Sequence, residues 1–184
     1  MVPSPAVRYK VNAEDRLQEF NEGWTEFAEA NDGREVLPSQ VLGRVLWDFI
    51  SDPTTIHLYQ MMLQRLRQGT PRIEFTFRCD SPERRRLLSM ELTAARSGAV
   101  QFFVRPVTEE ERPPVAFLDA TQERGTDLLA MCAWCQRVRL PDGTWAEIED
   151  AVSSLPMFMG ESVPRITHGI CESCATTMLE LAEK

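Results

Sequence analysis

The sequence has no long apolar run, no apolar signal core and very few histidines. No stretch approaches the roughly 20 apolar residues that a membrane span needs. The polar, proline-containing start of the chain lacks the hydrophobic segment of an export signal. We therefore expect a cytoplasmic protein with no membrane partner. With His57 and His168 as its two histidines, the chain offers no evident Ser–His–Asp or Cys–His arrangement, and we do not expect an enzyme.

An excess of basic residues is also missing, since the formal net charge is −8. Proteins that neutralise nucleic-acid phosphates usually present a basic face. Nucleic acid is therefore not expected as a partner. The one basic run, residues 84–86, follows Pro82 and Glu83, and we expect a solvated turn there.

The first half of the chain carries helical patterns. Apolar residues at spacings of three and four over residues 17–27 predict an amphipathic helix, for which Asn12 or Asp15 is an available cap. A second helix is predicted from Pro53 to Gln68, because Asp52 and Pro53 form a strong helix-start signal.

Strand patterns follow these helices. The chain alternates with a period of two from Ile73 to Phe77. Residues 87–95 and 99–107 are further strand candidates, and Ser97-Gly98 joins them as a hairpin signal. Several helices followed by consecutive strands predict an α+β fold with an antiparallel sheet.

Four of the five cysteines form two C-x-x-C pairs, separated by 35 residues. The pairs are Cys132 with Cys135 and Cys171 with Cys174. Two such pairs can complete a tetrahedral site with no open position, which is typical of structural zinc. The second pair lies at the start of a predicted terminal helix, whose free N–H groups favour thiolate. A zinc ion would cross-link a unit too small to bury much apolar surface.

Other interpretations use the same residues. An iron–sulfur cluster takes the same four thiolates, and a redox- or metal-responsive switch would cycle them between metal-bound thiolates and disulfides. His168 is a candidate hydrogen-bond donor to a ligating sulfur, or an alternative ligand in place of one cysteine. We interpret Trp134, inside the first pair, as a packing anchor, and the separate Cys79 as an ordinary buried or edge cysteine.

Residues 9–28 and the segment GRVLWDFI at 43–50 resemble bacterial PAS domains, and the three predicted strands after them fit the PAS sheet. The distal pieces, residues 131–138, 143–145 and 168–174, are similar to cysteine-rich tails that follow PAS or receiver domains in bacterial signalling proteins. A knuckle, a hairpin and a helix-borne second pair also resemble the layout of treble-clef zinc fingers.

The resemblance implies a PAS-like antiparallel sheet with flanking helices, followed by a small treble-clef-like metal-binding unit. We expect a flexible tail at residues 1–8, a PAS-like domain at 9–108, a linker at 109–126 and a four-cysteine zinc unit at 127–184. The resemblance further implies an internal cavity and a homodimer. A haem in that cavity would use His57 as its axial ligand. The predicted function is a stand-alone signalling, sensory or adaptor protein with an unknown signalling partner.

Overall fold

The computed structural model describes residues 4–158 and 162–183, which form a mixed α+β fold with two sheets. The first sheet has five antiparallel strands in the order β2-β1-β5-β4-β3. Its strands are β1 (Val7–Val11), β2 (Leu17–Phe20), β3 (Arg72–Arg78), β4 (Arg84–Ala94) and β5 (Val100–Glu111). Between β2 and β3 the chain forms α1 (Glu22–Ala30), α2 (Pro38–Val41) and α3 (Pro53–Arg67).

The second sheet has four strands in the order β8-β7-β6-β9. They are β6 (Arg124–Cys132), β7 (Val138–Arg139), β8 (Trp145–Ala146) and β9 (Val163–Gly169). The pairing of β6 with β9 is parallel, and the other two pairings are antiparallel. Helix α4 (Ile148–Ser154) lies between β8 and β9, and α5 (Glu172–Glu183) follows β9.

The predicted start and end of helix α3 are both confirmed. The Asp52 carboxylate accepts hydrogen bonds from the Thr55 backbone N–H and hydroxyl, at 2.8 and 2.7 Å. This caps the helix in front of Pro53, which needs no hydrogen-bond partner at the first position. After α3, Gly69 adopts a φ of +116°, a conformation that favours glycine.

The predicted helix over residues 17–27 is only half right. Leu17 and Phe20 belong to strand β2, and α1 begins at Glu22. Asn21 caps that helix through its side chain, which accepts from Trp24 N–H at 3.2 Å. Asn12 instead accepts hydrogen bonds inside the β1–β2 turn. The apolar residues at helical spacing therefore belong to two elements, strand β2 and helix α1, which bury the same side of the chain.

The basic run 84–86 is not a solvated turn, because it forms the start of β4. Each arginine lies opposite a glutamate of β5, in the register Arg84↔Glu111, Arg85↔Glu110 and Arg86↔Glu109. Opposite charges across neighbouring strands attract each other. Arg86 is only 5% exposed, and its guanidinium reaches Glu109 at 3.2 Å.

The expected domain boundaries stay predictions. Strand β1 begins at Val7, inside the expected tail, and β5 ends at Glu111, inside the expected linker. One hydrophobic core joins the first sheet to the cysteine region, because Cys132, Trp134 and Cys171 pack in the same cluster as residues of α3 and β3–β5. No described helix is long and apolar enough to cross a membrane.

Candidate metal centre

The first cysteine pair lies in the tight turn between β6 and β7. Cys132 ends β6, and its N–H donates to the Arg137 carbonyl at 2.8 Å. The Cys132 carbonyl in turn accepts from Gln136 N–H at 2.9 Å. Gln136 takes a φ of +58°, a left-handed conformation that lets the chain reverse. The turn therefore holds both thiols of the pair on one side of the chain.

Parallel pairing of β6 with β9 brings the second pair to the first. Gly169 lies opposite Cys132 in the register, and its carbonyl accepts from Ala133 N–H at 2.8 Å. Two residues later Cys171 precedes α5, and Cys174 lies in the first turn of that helix. Adjacent strand ends therefore deliver the two pairs to one point.

All four sulfur atoms lie within 4.8 Å of one another. The sulfurs of Cys135 and Cys171 are 3.7 Å apart, and the five cysteines are free thiols. A tetrahedron of thiolates about 2.3 Å from one metal ion has edges of about 3.8 Å, whereas a disulfide bond is only about 2.05 Å long. The four sulfur atoms therefore form a cluster that could hold a metal ion.

Three of the four thiols have shifted pKa values, because they are buried or half-buried and lie close to one another. A hydrogen bond from Cys135 lowers the pKa of Cys132 to about 4. The backbone N–H of Cys171 also donates to the Cys132 sulfur, at 3.4 Å. The bond to Cys132 raises the pKa of Cys135. Burial and the nearby charge of Cys132 raise the pKa of Cys174 to about 12. Without a metal the pKa values of Cys135 and Cys174 are thus raised, and a bound divalent cation would favour their thiolate forms.

Trp134 is the packing anchor that the sequence predicts. Its ring stacks on Tyr59 of α3 with centroids 5.2 Å apart, and it forms a T-shaped pair with Phe75 of β3, also at 5.2 Å. The residue is 3% exposed. The turn that carries Cys132 and Cys135 is therefore fixed to the first sheet and to α3.

His168 does not join the cluster of candidate ligands. It lies on β9 opposite Met131 and is exposed. Among the described residues, the potential ligand atoms that gather at this point belong to the four cysteines. The role of His168 as a hydrogen-bond donor to a cysteine sulfur stays a prediction.

A separate apolar cavity of about 270 Å³ lies between the first sheet and helix α1. Tyr9, Trp24 and Phe77 are among its lining residues, and Cys79 also lines it. Burial raises the pKa of the Cys79 thiol, which disfavours the reactive thiolate form. His57 is exposed on α3 and is not among the residues that line this cavity, so the geometry that haem ligation requires is not found.

A buried ion-pair network, which the sequence does not predict, lies beside the cysteine turn. The Asp80 carboxylate is fully buried and pairs with Arg78 and with Arg112, at 3.1 Å in the second case. Arg78 N–H donates to the Trp134 carbonyl at 2.7 Å, and Asp80 N–H donates to the Gln136 side chain at 2.9 Å. The network therefore ties the end of β3 to the cysteine turn.

A further carboxylate, that of Glu147 between β8 and α4, connects this network to strands β3 and β4 of the first sheet. Glu147 accepts hydrogen bonds from Arg78, Arg85 and Arg137, at 2.6, 2.8 and 2.9 Å. The one available signal in the sequence was the pair of opposite charge runs at 84–86 and 109–111, which flank a predicted hairpin. That signal indicates strand pairing, but it does not identify Asp80 or Glu147.

Comparisons with known proteins leave the family of this chain open. No protein-family model matches it, and no curated protein matches it. One similar solved structure is the crystal structure of a C-terminal domain from Streptococcus mutans. It is 18% identical with a TM-score of 0.39, and the match covers 56% of this chain and 77% of that one. A likeness this distant carries no functional argument, so the four-cysteine cluster is defined by its own geometry.

Proposed function

We propose that the chain is a non-enzymatic signalling or adaptor protein, with a PAS-like binding domain and a structural zinc site formed by its four paired cysteines. The observation that carries this proposal is the closed group of four sulfur atoms, fixed to the core of the first sheet. A closed thiolate site holds chain segments together and leaves no coordination position for substrate.

Several features support the PAS-like part of the proposal. The five-stranded antiparallel sheet with helices between β2 and β3 agrees with what the sequence resemblance implies. The apolar cavity behind that sheet has room for a small ligand. The same proposal includes a homodimer formed through this domain and an unidentified signalling partner. Light scattering of the purified protein tests for the homodimer.

The treble-clef-like layout supports zinc. A cysteine turn, a β-hairpin formed by β7 and β8, and a helix that carries the second pair follow one another along the chain. Zinc accepts four thiolates in a tetrahedral arrangement without any redox change. An iron–sulfur cluster would need the same four ligands, so the metal must be measured.

The decisive experiment is elemental analysis of protein purified in reducing buffer, together with a visible spectrum. We expect about one zinc per chain and a colourless sample. The Cys174→Ala variant should lose the metal, while Cys79→Ala, which changes the cysteine outside the cluster, should keep it. Less than about half an equivalent of zinc would contradict the proposal. Visible absorption with bound iron would indicate a cluster, and uptake of haemin would indicate a haem sensor.

A redox- or metal-responsive switch is the second candidate, because Cys135 and Cys174 are half-buried and therefore partly accessible to oxidants. The test is a peroxide titration in which a chromophoric chelator reports released zinc. Retention of zinc at a modest excess of peroxide supports the structural site. Early release that a thiol reductant reverses supports the switch.

A further inference from the structure

Both chain neighbours of Cys135 are hydrogen-bonded to the end of strand β3. The Trp134 carbonyl accepts from the backbone N–H of Arg78 at 2.7 Å. The side-chain oxygen of Gln136 accepts from the backbone N–H of Asp80 at 2.9 Å. Cys135 lies between these two anchors, so its position depends on the first sheet as well as on the turn that contains it.

The other three cysteines are placed by the second sheet and the helix that follows it. Cys132 is the last residue of β6, and its N–H donates to the Arg137 carbonyl at 2.8 Å. Cys171 follows β9, which pairs with β6, and Cys174 lies in the first turn of α5. The four-sulfur cluster therefore depends on two parts of the fold, and Cys135 is the member that β3 holds.

The anchor at Asp80 is firmly fixed. Its carboxylate is fully buried and pairs with Arg78 and with Arg112, at 3.1 Å in the second case. The same carboxylate accepts from the Arg86 backbone N–H at 3.0 Å. Moving Asp80 would leave buried charges without partners, which is costly. Its own N–H is therefore a donor with a defined position.

Gln136 has a backbone conformation that needs such an anchor. Its φ of +58° lies in the left-handed region, which costs free energy for a residue with a side chain. The Gln136 N–H donates to the Cys132 carbonyl at 2.9 Å and closes the turn. The side-chain bond to Asp80 N–H stabilises this conformation, and with it the direction in which the chain leaves Cys135.

We propose that Gln136 is a positioning residue of the metal centre, which holds Cys135 in its ligating position through Asp80 N–H before a metal binds. A ligand already in place binds metal without the cost of being ordered. The proposal rests on the proposed function, because it takes the four cysteines as the metal site. It adds that the end of β3, which contributes no ligand, sets the metal affinity.

The test measures the zinc affinity of the full-length protein by competition with a chromophoric chelator. Gln136→Ala removes the acceptor of Asp80 N–H and should weaken zinc binding about 10- to 100-fold. Gln136→Glu keeps an acceptor oxygen at the same reach and should recover most of this loss. Gln101→Ala, at a half-buried glutamine of β5 opposite Lys10 and Thr93, should bind zinc as the wild type does. Equal affinity in the wild type and Gln136→Ala would overturn the proposal.

A glycine substitution separates the side chain of Gln136 from its backbone conformation. Gln136→Gly removes the acceptor but adopts a positive φ without strain. Its zinc affinity should still be lower than that of the wild type. A glycine variant that binds zinc as tightly as the wild type would show that the backbone conformation alone positions Cys135, and would contradict the role of the side chain.

An Asn21→Ala variant controls for a general loss of stability. It removes the cap of α1, whose acceptor lies 3.2 Å from Trp24 N–H, and should lower stability but keep the zinc affinity. The visible spectrum of bound Co²⁺ reports coordination geometry rather than stability. This spectrum should change in Gln136→Ala and stay unchanged in Asn21→Ala. An equal fall in zinc affinity in the two variants would refute a positioning role.

NMR relaxation of the metal-free, reduced protein separates this proposal from the previous one. The backbone order parameter of Cys135 should be about 0.85 in the wild type and below about 0.6 in Gln136→Ala. Zinc binding that is equally tight in both forms refutes the role of Gln136 alone. Protein that carries no metal refutes the zinc site, and the order parameter of Cys135 in that same sample then decides the role of Gln136.

Discussion

Glu109 shows how a single residue holds the charged ends of strands β4 and β5 together. Its carboxylate accepts from the backbone N–H and hydroxyl of Ser4, both at 2.9 Å, and from Arg84 and Arg86, both at 3.2 Å. Burial disfavours the charged form, but these hydrogen bonds outweigh it and lower the pKa of Glu109 to about 2. The ionised carboxylate is therefore part of the folded structure.

This pKa predicts a specific loss of stability in acid. A carboxyl group whose pKa is lowered by folding stabilises the protein above its unfolded pKa, and that contribution disappears as the pH falls through the folded value. The window runs from about 4.5 down to about 2, and the contribution is up to about 3 kcal/mol. In urea unfolding at several pH values, Glu109→Gln should flatten the wild-type dependence across this window.

Exposed carboxylates supply the matched control for this measurement. Asp48 forms an exposed ion pair with Arg44 at 3.4 Å, and such pairs contribute little. Asp48→Asn should therefore retain the wild-type pH dependence. Metal release in acid affects all these proteins alike, so the contrast between the two variants is the informative quantity. Identical profiles for both would show that Glu109 ionises as it does in the unfolded chain.

At the scale of elements, local signals were readable from the sequence and distant pairings were not. Helix α3 was predictable because Asp52, Pro53 and Gly69 mark its ends within one short segment. The C-x-x-C spacing was readable for the same reason. The parallel β6–β9 pairing joins strands far apart in the chain, and no local residue pattern encodes it. The fold, rather than any motif, brings Asp80 to the cysteine turn.

The cap of α3 gives the prediction at this scale. Asp52→Ala removes the acceptor of two hydrogen bonds at the start of the helix and should lower the free energy of unfolding by about 1 kcal/mol. Thr54→Ala, at an exposed position in the first turn, should change it by less than about 0.5 kcal/mol. Chemical denaturation followed by circular dichroism measures both. A cap variant as stable as the wild type would refute the assigned role.

For the whole molecule, the shared core couples the cysteine region to the first sheet. Helix α5 packs on α3 through Met178 and Ala182, and Arg65 donates to the Leu181 carbonyl at 2.6 Å. Trp134 adds its contacts with Tyr59 and Phe75. Small units joined by one core usually unfold together.

Metal removal should therefore destabilise the entire chain. Chelation should lower the melting temperature by roughly 10 °C or more, because a tightly bound metal contributes at least about 4 kcal/mol. Calorimetry should still show one transition. The Cys79→Ala variant should respond to chelator as the wild type does. Two separate transitions, with only the lower one sensitive to chelator, would show that the cysteine region melts independently.

The parallel pairing of β6 with β9 also sets an order of events during synthesis. Cys171 lies 36 positions after Cys135, so the ribosome releases the first thiol pair well before its partners exist. The first sheet can fold in that interval, but the surface of α3 near Arg65 still lacks the cover that α5 provides. A nascent chain paused at that point would expose two thiols beside an uncovered apolar surface. The thiols would be open to oxidation, and the apolar surface would be open to chaperone binding.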